Sequence, residues 1–199
     1  MLFERNDDIF KNAYPNWQKN FRSYNELFII YAEHYKQAGD SLIISIGNNR
    51  GHNADSIINP SIFLYRHSIE LCLKAILFQN YIDLGKDTEK IKEKLNGHCL
   101  KSLWNRVRNE ICNNYRFINN KKDKDELNKI ERLITELHDV DNKSMNYRYP
   151  FDLDLQEYIY GDGKESYGID YLNFKEEINY LYNRLYYWLY YNIIDNDEE

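Results

Sequence analysis

The sequence predicts an all-α protein, a helical bundle of four to five main helices, and three observations carry that reading. The 199 residues hold only three prolines and eight glycines, too few breakers for a turn-dense sandwich or barrel. Apolar residues recur at alternating steps of three and four in several separate stretches, which is the period of a helix and not of a strand. One stretch, residues 62–79 (IFLYRHSIELCLKAILFQ), is apolar round most of its circumference, as a helix central to a bundle is and a surface helix is not.

Residues 1–199 read as a single domain, a length with room for a sizeable core. Residues 1–19 form an irregular N-terminal arm that carries Tyr14, Pro15 and Trp17 without a clear period. A first helix over residues 20–46 follows from Phe21, Tyr24, Phe28, Tyr31, Tyr35, Ala38 and Leu42, with Gly39 as a point of bending. Residues 47–59 (GNNRGHNADSIIN) read as a polar loop in which His52 is a solvated side chain. Asn59 and Pro60 then open the central helix, residues 60–80, because proline is at home in a first helical turn. With Arg66 set at zero on a wheel of about 100° per residue, His67, Glu70 and Lys74 fall within one arc of about 100°. Enclosed in a bundle, that polar stripe requires partners or a water-lined opening.

Residues 83–97, dense in Lys, Glu and Gly, read as a solvated connection with room for a short helix. Leu100, Leu103, Trp104, Val107 and Ile111 define the next helix, residues 98–115. The Asn-rich, basic turn of residues 113–124 follows. Arg106, Arg108, Arg116, Lys121 and Lys122 make this region the best candidate for a phosphate-attracting patch, the plain alternative being a solvated charged surface. A helix over residues 125–139 turns Leu127, Ile130, Ile134 and Leu137 inward, and Pro150 keeps residues 141–155 from continuing it. Residues 160–168 are a Gly-rich loop whose glycines lack the strand-before, helix-after order of a phosphate cradle.

The last helix, residues 170–194, carries the stripe Tyr171, Phe174, Ile178, Leu181, Leu185 and Trp188. Tyr180, Tyr182, Tyr186, Tyr187, Tyr190 and Tyr191 surround it. That is more aromatic surface than one seam buries, and it points to self-association, most simply a homodimer, with base stacking as the alternative. Residues 195–199 (DNDEE) form an acidic tail.

A net charge of −6 argues against a broad basic face that coats nucleic acid. Cys72, Cys99 and Cys112 lack the paired spacing of metal ligands and read as buried thiols in a reducing compartment. No secretory signal pattern opens the chain and no apolar run is long enough to span a bilayer, so a cytoplasmic protein without a membrane partner is expected. Neither a metal site nor a cofactor is indicated.

The central stripe and the segment after it also carry a resemblance. YRHSIELCLKAIL (residues 65–77), with GHCLKSLW (residues 97–104) about twenty residues on, resembles the second and third helices of HEPN domains. NYRYP (residues 146–150) is similar to a tail segment of some uncharacterised bacterial HEPN-like proteins. The resemblance covers about a third of the chain and implies a HEPN-like bundle, commonly dimeric. For many members it implies a metal-independent ribonuclease in which about four to six residues separate an arginine from a following histidine. Arg132 and His138 meet that spacing here.

The chemistry fits those residue types. A histidine moves protons on and off the ribose 2′-OH and the leaving oxygen, and an arginine fork stabilises charge on the phosphate in the transition state. On an ideal helix, however, Arg132 lies nearly opposite the apolar centre while His138 lies at its flank. A second constellation, Arg66, His67, Glu70, His98 and Arg148, sits on the segments that carry the resemblance. It reads either as a buried, mutually satisfied network or as a site with His67 or His98 as base and Arg66 or Arg148 as phosphate clamp. Two functions fit. One is a HEPN-like protein acting on or binding RNA in a bacterial defence or toxin–antitoxin setting, with an antitoxin as partner. The other is a catalytically silent helical module for protein–protein interaction or oligomerisation.

Overall fold

The computed structural model describes residues 5–15, 22–115, 120–142, 144–158 and 168–195. Within them the chain is all-helical, with α1 (Tyr24–Asn48), α2 (Ala54–Asp83), α3 (Thr88–Leu95), α4 (Leu100–Asn114), α5 (Lys121–Asp139), α6 (Tyr171–Asn183), a π-helical stretch (Arg184–Tyr190) and α7 (Tyr191–Asp195). Among the described residues the only extended pairing is an isolated bridge between Phe151 and Glu157. The described part of the N-terminal arm contributes one 3₁₀ turn, Ile9–Lys11. The Gly-rich loop expected at residues 160–168 lies, but for Gly168, outside the described residues.

The bundle is organised around α2. Tyr65, Ile69, Cys72, Leu73, Ala75, Ile76 and Leu77 are fully enclosed. Its neighbours are α1 along one side, α4 on another, and the rod of α6, the π-helical stretch and α7 on a third, while α5 packs against α4. The α4 stripe Leu100, Leu103, Trp104, Val107 and Ile111 is buried throughout, as are Leu127, Ile130, Ile134 and Leu137 on α5. Each enclosed Leu or Ile contributes roughly 1.5–3 kcal/mol, so this seam dominates the favourable side of folding.

Several boundaries and phases differ from the sequence reading. The central helix begins at Ala54, six residues before Pro60, which stands inside it. The extra turns are held by packing, since Ala54, Ile57 and Ile58 lie against the core, and Ser61 Oγ donates to the Ile57 carbonyl at 2.9 Å. On α1 the buried positions are Asn25, Ile29, Ala32, Gly39, Ile43 and Ile46, one residue away from the aromatic stripe, and Tyr24 is exposed. Phe28, Tyr31 and Tyr35 instead border the core half-buried. The helix runs unbroken through Gly39, and a Cβ there would meet the Tyr65 ring at 2.8 Å. The glycine therefore serves close approach of α1 to α2, not bending.

Helix α5 starts at Lys121 because Asn120 caps it, accepting from the Asp123 N–H at 3.0 Å while Asp123 accepts from the Asn120 N–H at 3.3 Å. The segment before α4 includes a short helix, α3, that buries Ile91 and Leu95. In the C-terminal rod, Leu185, Leu189, Tyr190 and Ile193 are buried and Trp188 is only half-buried. On a strict α-helix Tyr190 would lie about 120° from Ile178. The slower winding of the π-helical stretch brings it back onto the core side and swings Trp188 outward.

Candidate functional site

The polar arc of α2 is enclosed, and it finds partners from three elements. Arg66 is fully buried. Its Nη2 donates to the His98 carbonyl at 2.8 Å and its Nε to the Asp141 carbonyl at 3.2 Å. The guanidinium also stands 3.5 Å from the carboxylates of Glu70 and Asp141. Asp141, likewise buried, turns its Oδ1 to the N–H groups of Met145 and Asn146, at 2.7 and 3.2 Å, and so closes the turn after α5. One arginine thereby ties α2 to the entry of α4 and the exit of α5. Arg66 and Lys74 balance Glu70 and Asp141, so the charge of the cluster closes without any histidine.

Glu70 is 1% exposed as a side chain, and its Oε1 takes Lys74 Nζ at 2.9 Å and His98 Nδ1 at 2.9 Å. Burial pushes the Glu70 carboxyl upward, but Lys74 and His98 outweigh that and hold it below its ordinary value. His98 itself is 67% exposed. It sits before α4 because Gly97, at φ +99°, takes a conformation that side-chain-bearing residues avoid and turns the chain there. A carboxylate only accepts, so Nδ1 carries the proton and Nε2 is the nitrogen left facing outward.

The other sequence candidates lie apart from that contact. His67 is wedged between Tyr35, edge-on at 4.5 Å between centroids, and Phe63, stacked at 6.0 Å. Burial lowers its pKa, with Lys74 and His98 adding and Glu70 opposing. Arg148 does not meet Glu70. Its Nε donates to the Ser144 carbonyl, and its guanidinium lies over Phe63 at 5.4 Å. Asp141 therefore pins the loop where Arg148 was a candidate. Asp141 was missed from sequence, though an Asp opening an Asn- and Ser-rich turn is a signal for the backbone caps it makes.

Arg132 and His138 lie on one unbroken helix, about 120° apart. Arg132 is exposed and pairs with Glu136 at 3.4 Å. His138 faces the other way, half-buried, with its Nδ1 enclosed and without a hydrogen-bond partner. Burial lowers its pKa, and Arg66 and Lys101 add to that against Asp139. Within one chain the two side chains do not converge.

His138 instead borders a shallow groove of about 790 Å³ along α4, lined by Cys99, Lys101, Ser102, Arg106, Arg108 and neighbours. Arg106 is held by the Ser102 and Lys94 carbonyls, and Arg108 by Asn128 and Glu131. Lys101 was not among the basic residues singled out from sequence. Lys121 and Lys122 are exposed on the first turn of α5 outside the groove, and Arg116 lies outside the described residues.

Of the three cysteines only Cys72 is buried, which raises its pKa; Cys99 is half-buried and Cys112 exposed, so the expectation of buried thiols holds for one. Among the described residues no three His, Cys, Asp or Glu side chains gather as metal ligands, and no helix is long and apolar enough to cross a membrane. Compared with known protein families, curated proteins and solved structures, the chain matches none.

Proposed function

We propose that this chain is a HEPN-like bundle that binds RNA and cuts it without a metal, working as a homodimer. The defence or toxin–antitoxin setting, and an antitoxin partner, rest on the resemblance of residues 65–77 and 97–104 alone. The observation that supports RNA as ligand is the α4 groove, where Lys101, Arg106 and Arg108 stand together in a chain of net charge −6, with His138 at the edge. Arg108 is offset by Glu131, which leaves Lys101 and Arg106 as the cations that attract a phosphate backbone, and screening confines the influence of charges elsewhere to about 10 Å.

The test is binding of a fluorescent single-stranded RNA across a salt series. Each phosphate contact contributes about −0.7 to the slope of log K against log salt, so Lys101→Ala lowers that slope by about this amount. Unchanged slopes in Lys101→Ala and Arg106→Ala, or no binding at low salt, refute the groove. The second reading, a catalytically silent module for protein–protein interaction, is favoured by Arg132, which Glu136 holds on a different face from His138. Intact RNA in EDTA with a folded dimer on light scattering selects it.

A further inference from the structure

We propose that Glu70 and His98 form an acid–base dyad in which His98 Nε2 is the general base and acid for cleavage of RNA, with Glu70 as its positioning residue. The inference rests on the RNA-binding reading above but not on Arg132 or His138. Its basis is the contrast in exposure across one hydrogen bond. Glu70 is enclosed and His98 is 67% exposed, at 2.9 Å. A buried carboxylate that fixes the tautomer and ring orientation of an exposed imidazole is the arrangement by which proteins present a basic nitrogen to a hydroxyl group. Glu70 is itself immobilised by Lys74 and Arg66, so the imidazole is held by a rigid support.

A structural role alone explains this pair less well. The enclosed charges already cancel between Arg66, Lys74, Glu70 and Asp141, and the link from the α4 entry to Arg66 is made by the His98 backbone carbonyl, which any residue supplies. The imidazole is needed for neither, and what it adds to the fold is one hydrogen bond to Glu70, made from an exposed position. Glu70 faces the imidazole directly and His67 feels its charge, while Arg66 and Lys74 bind the same Glu70 carboxylate from α2.

Position supplies the substrate class. Cys99, next in sequence, is one of the residues lining the basic groove, whose lining runs along α4 as far as Cys112, about 20 Å at 1.5 Å per residue. His98 is not part of that lining but precedes it by one residue, so a polymer whose phosphates lie along the groove and run beyond its Cys99 end comes to the residue that carries the imidazole. RNA places a hydroxyl beside each phosphodiester, and the missing 2′-OH excludes DNA. In the step, the 2′-OH gives its proton to Nε2 as the 2′ oxygen bonds to phosphorus. The P–O5′ bond breaks, and the 5′ oxygen leaves with the electron pair and takes the proton from the imidazolium. The products are a 2′,3′-cyclic phosphate and a 5′-OH end, and no electrons are transferred to or from any co-reactant. Lys74, sharing Glu70 Oε1 with His98, keeps that carboxylate ionised and so able to hold the Nδ1 proton.

The test follows cleavage of end-labelled single-stranded RNA in EDTA, with binding measured in parallel, for the full chain and for His98→Ala, His98→Gln, Glu70→Gln and the surface control Lys92→Ala. The expected result is cyclic phosphate ends from the parent and Lys92→Ala, a loss of at least 100-fold in both His98 variants at unchanged RNA affinity, and partial rescue of His98→Ala by imidazole. Glu70→Gln lowers kcat with KM unchanged, a split that a merely structural residue would not give. His98→Gln guards against misfolding, since it keeps a polar side chain at an exposed position. Cleavage surviving in both His98 variants overturns the dyad, as does, in Arg132→Ala and His138→Ala measured alongside them, a loss confined to those two. RNA bound but never cut overturns the dyad and leaves the groove reading standing, whereas RNA neither bound nor cut removes both.

Discussion

Arg66 on α2 and Asp141 beyond α5 meet in a fully enclosed contact, the Nε donating to the Asp141 carbonyl at 3.2 Å and lying 3.5 Å from its carboxylate. They stand 75 positions apart in sequence, and the pairing closes the bundle around its central helix. Taking away one partner of such a pair strands a buried charge, at a cost of about 3–5 kcal/mol. Asp141→Ala is expected to lose that much in urea unfolding. Asp141→Asn, which keeps an acceptor for the Met145 and Asn146 N–H groups, loses clearly less. Equal midpoints for Asp141→Ala and the parent would refute the role assigned to this contact.

Gly39 and Tyr65 set how closely α1 approaches α2. A methyl group on Gly39 would press on the Tyr65 ring, whose hydroxyl is anchored to Asp40 at 2.8 Å and so cannot easily swing away. Gly39→Ala should cost about 1–3 kcal/mol by overpacking, despite the better helix propensity of alanine. In a Tyr65→Ala background the same change should be neutral or stabilising. Additive effects in that double-mutant cycle would place the strain elsewhere.

These two contacts mark what the sequence could and could not disclose. The stripes of α4 and α5 were legible because medium-sized aliphatic residues recur there with little competition. The phase of α1 was not, because Phe28, Tyr31 and Tyr35 are large aromatic residues that recur at helical spacing one position away from Ile29 and Ala32, while only the smaller pair fits the seam beside Gly39. The clustering of Arg66, Glu70 and Lys74 could be read from helical spacing. That His98 would join them and Arg148 would not depends on how the segments before α4 and after α5 fold back, and periodicity carries no information about loops. The π-helical stretch left no local signature either, since its register answers to the burial of Tyr190.

Pro60 stands exposed in the second turn of α2, where it removes one backbone hydrogen bond and crowds the carbonyl four residues earlier. Pro60→Ala should stabilise the protein by about 1–3 kcal/mol, seen as a higher melting temperature with unchanged helical content by circular dichroism. A lower melting temperature would mean that the proline limits the unfolded chain more than it strains the helix.

Acid should weaken the protein in two separate windows. His67 has its pKa lowered, chiefly by burial between Tyr35 and Phe63, so the folded state binds a proton less readily than the unfolded chain. Its contribution is present above the unfolded histidine value of about 6.5 and is lost as pH falls through the lower folded value. His138, lowered mainly by burial as well, acts in the same window. Glu70 is lowered against its burial by Lys74 and His98, so its contribution holds above the unfolded carboxylate value of about 4.3 and fades only below that. Unfolding free energy measured by urea should therefore fall from pH 7 to 5. His67→Phe should flatten that slope by part, and adding His138→Gln should flatten it further, while neither change affects the steeper loss below pH 4.5. A slope between pH 7 and 5 that is the same in the parent and the double variant would show that these two histidines titrate alike in both states.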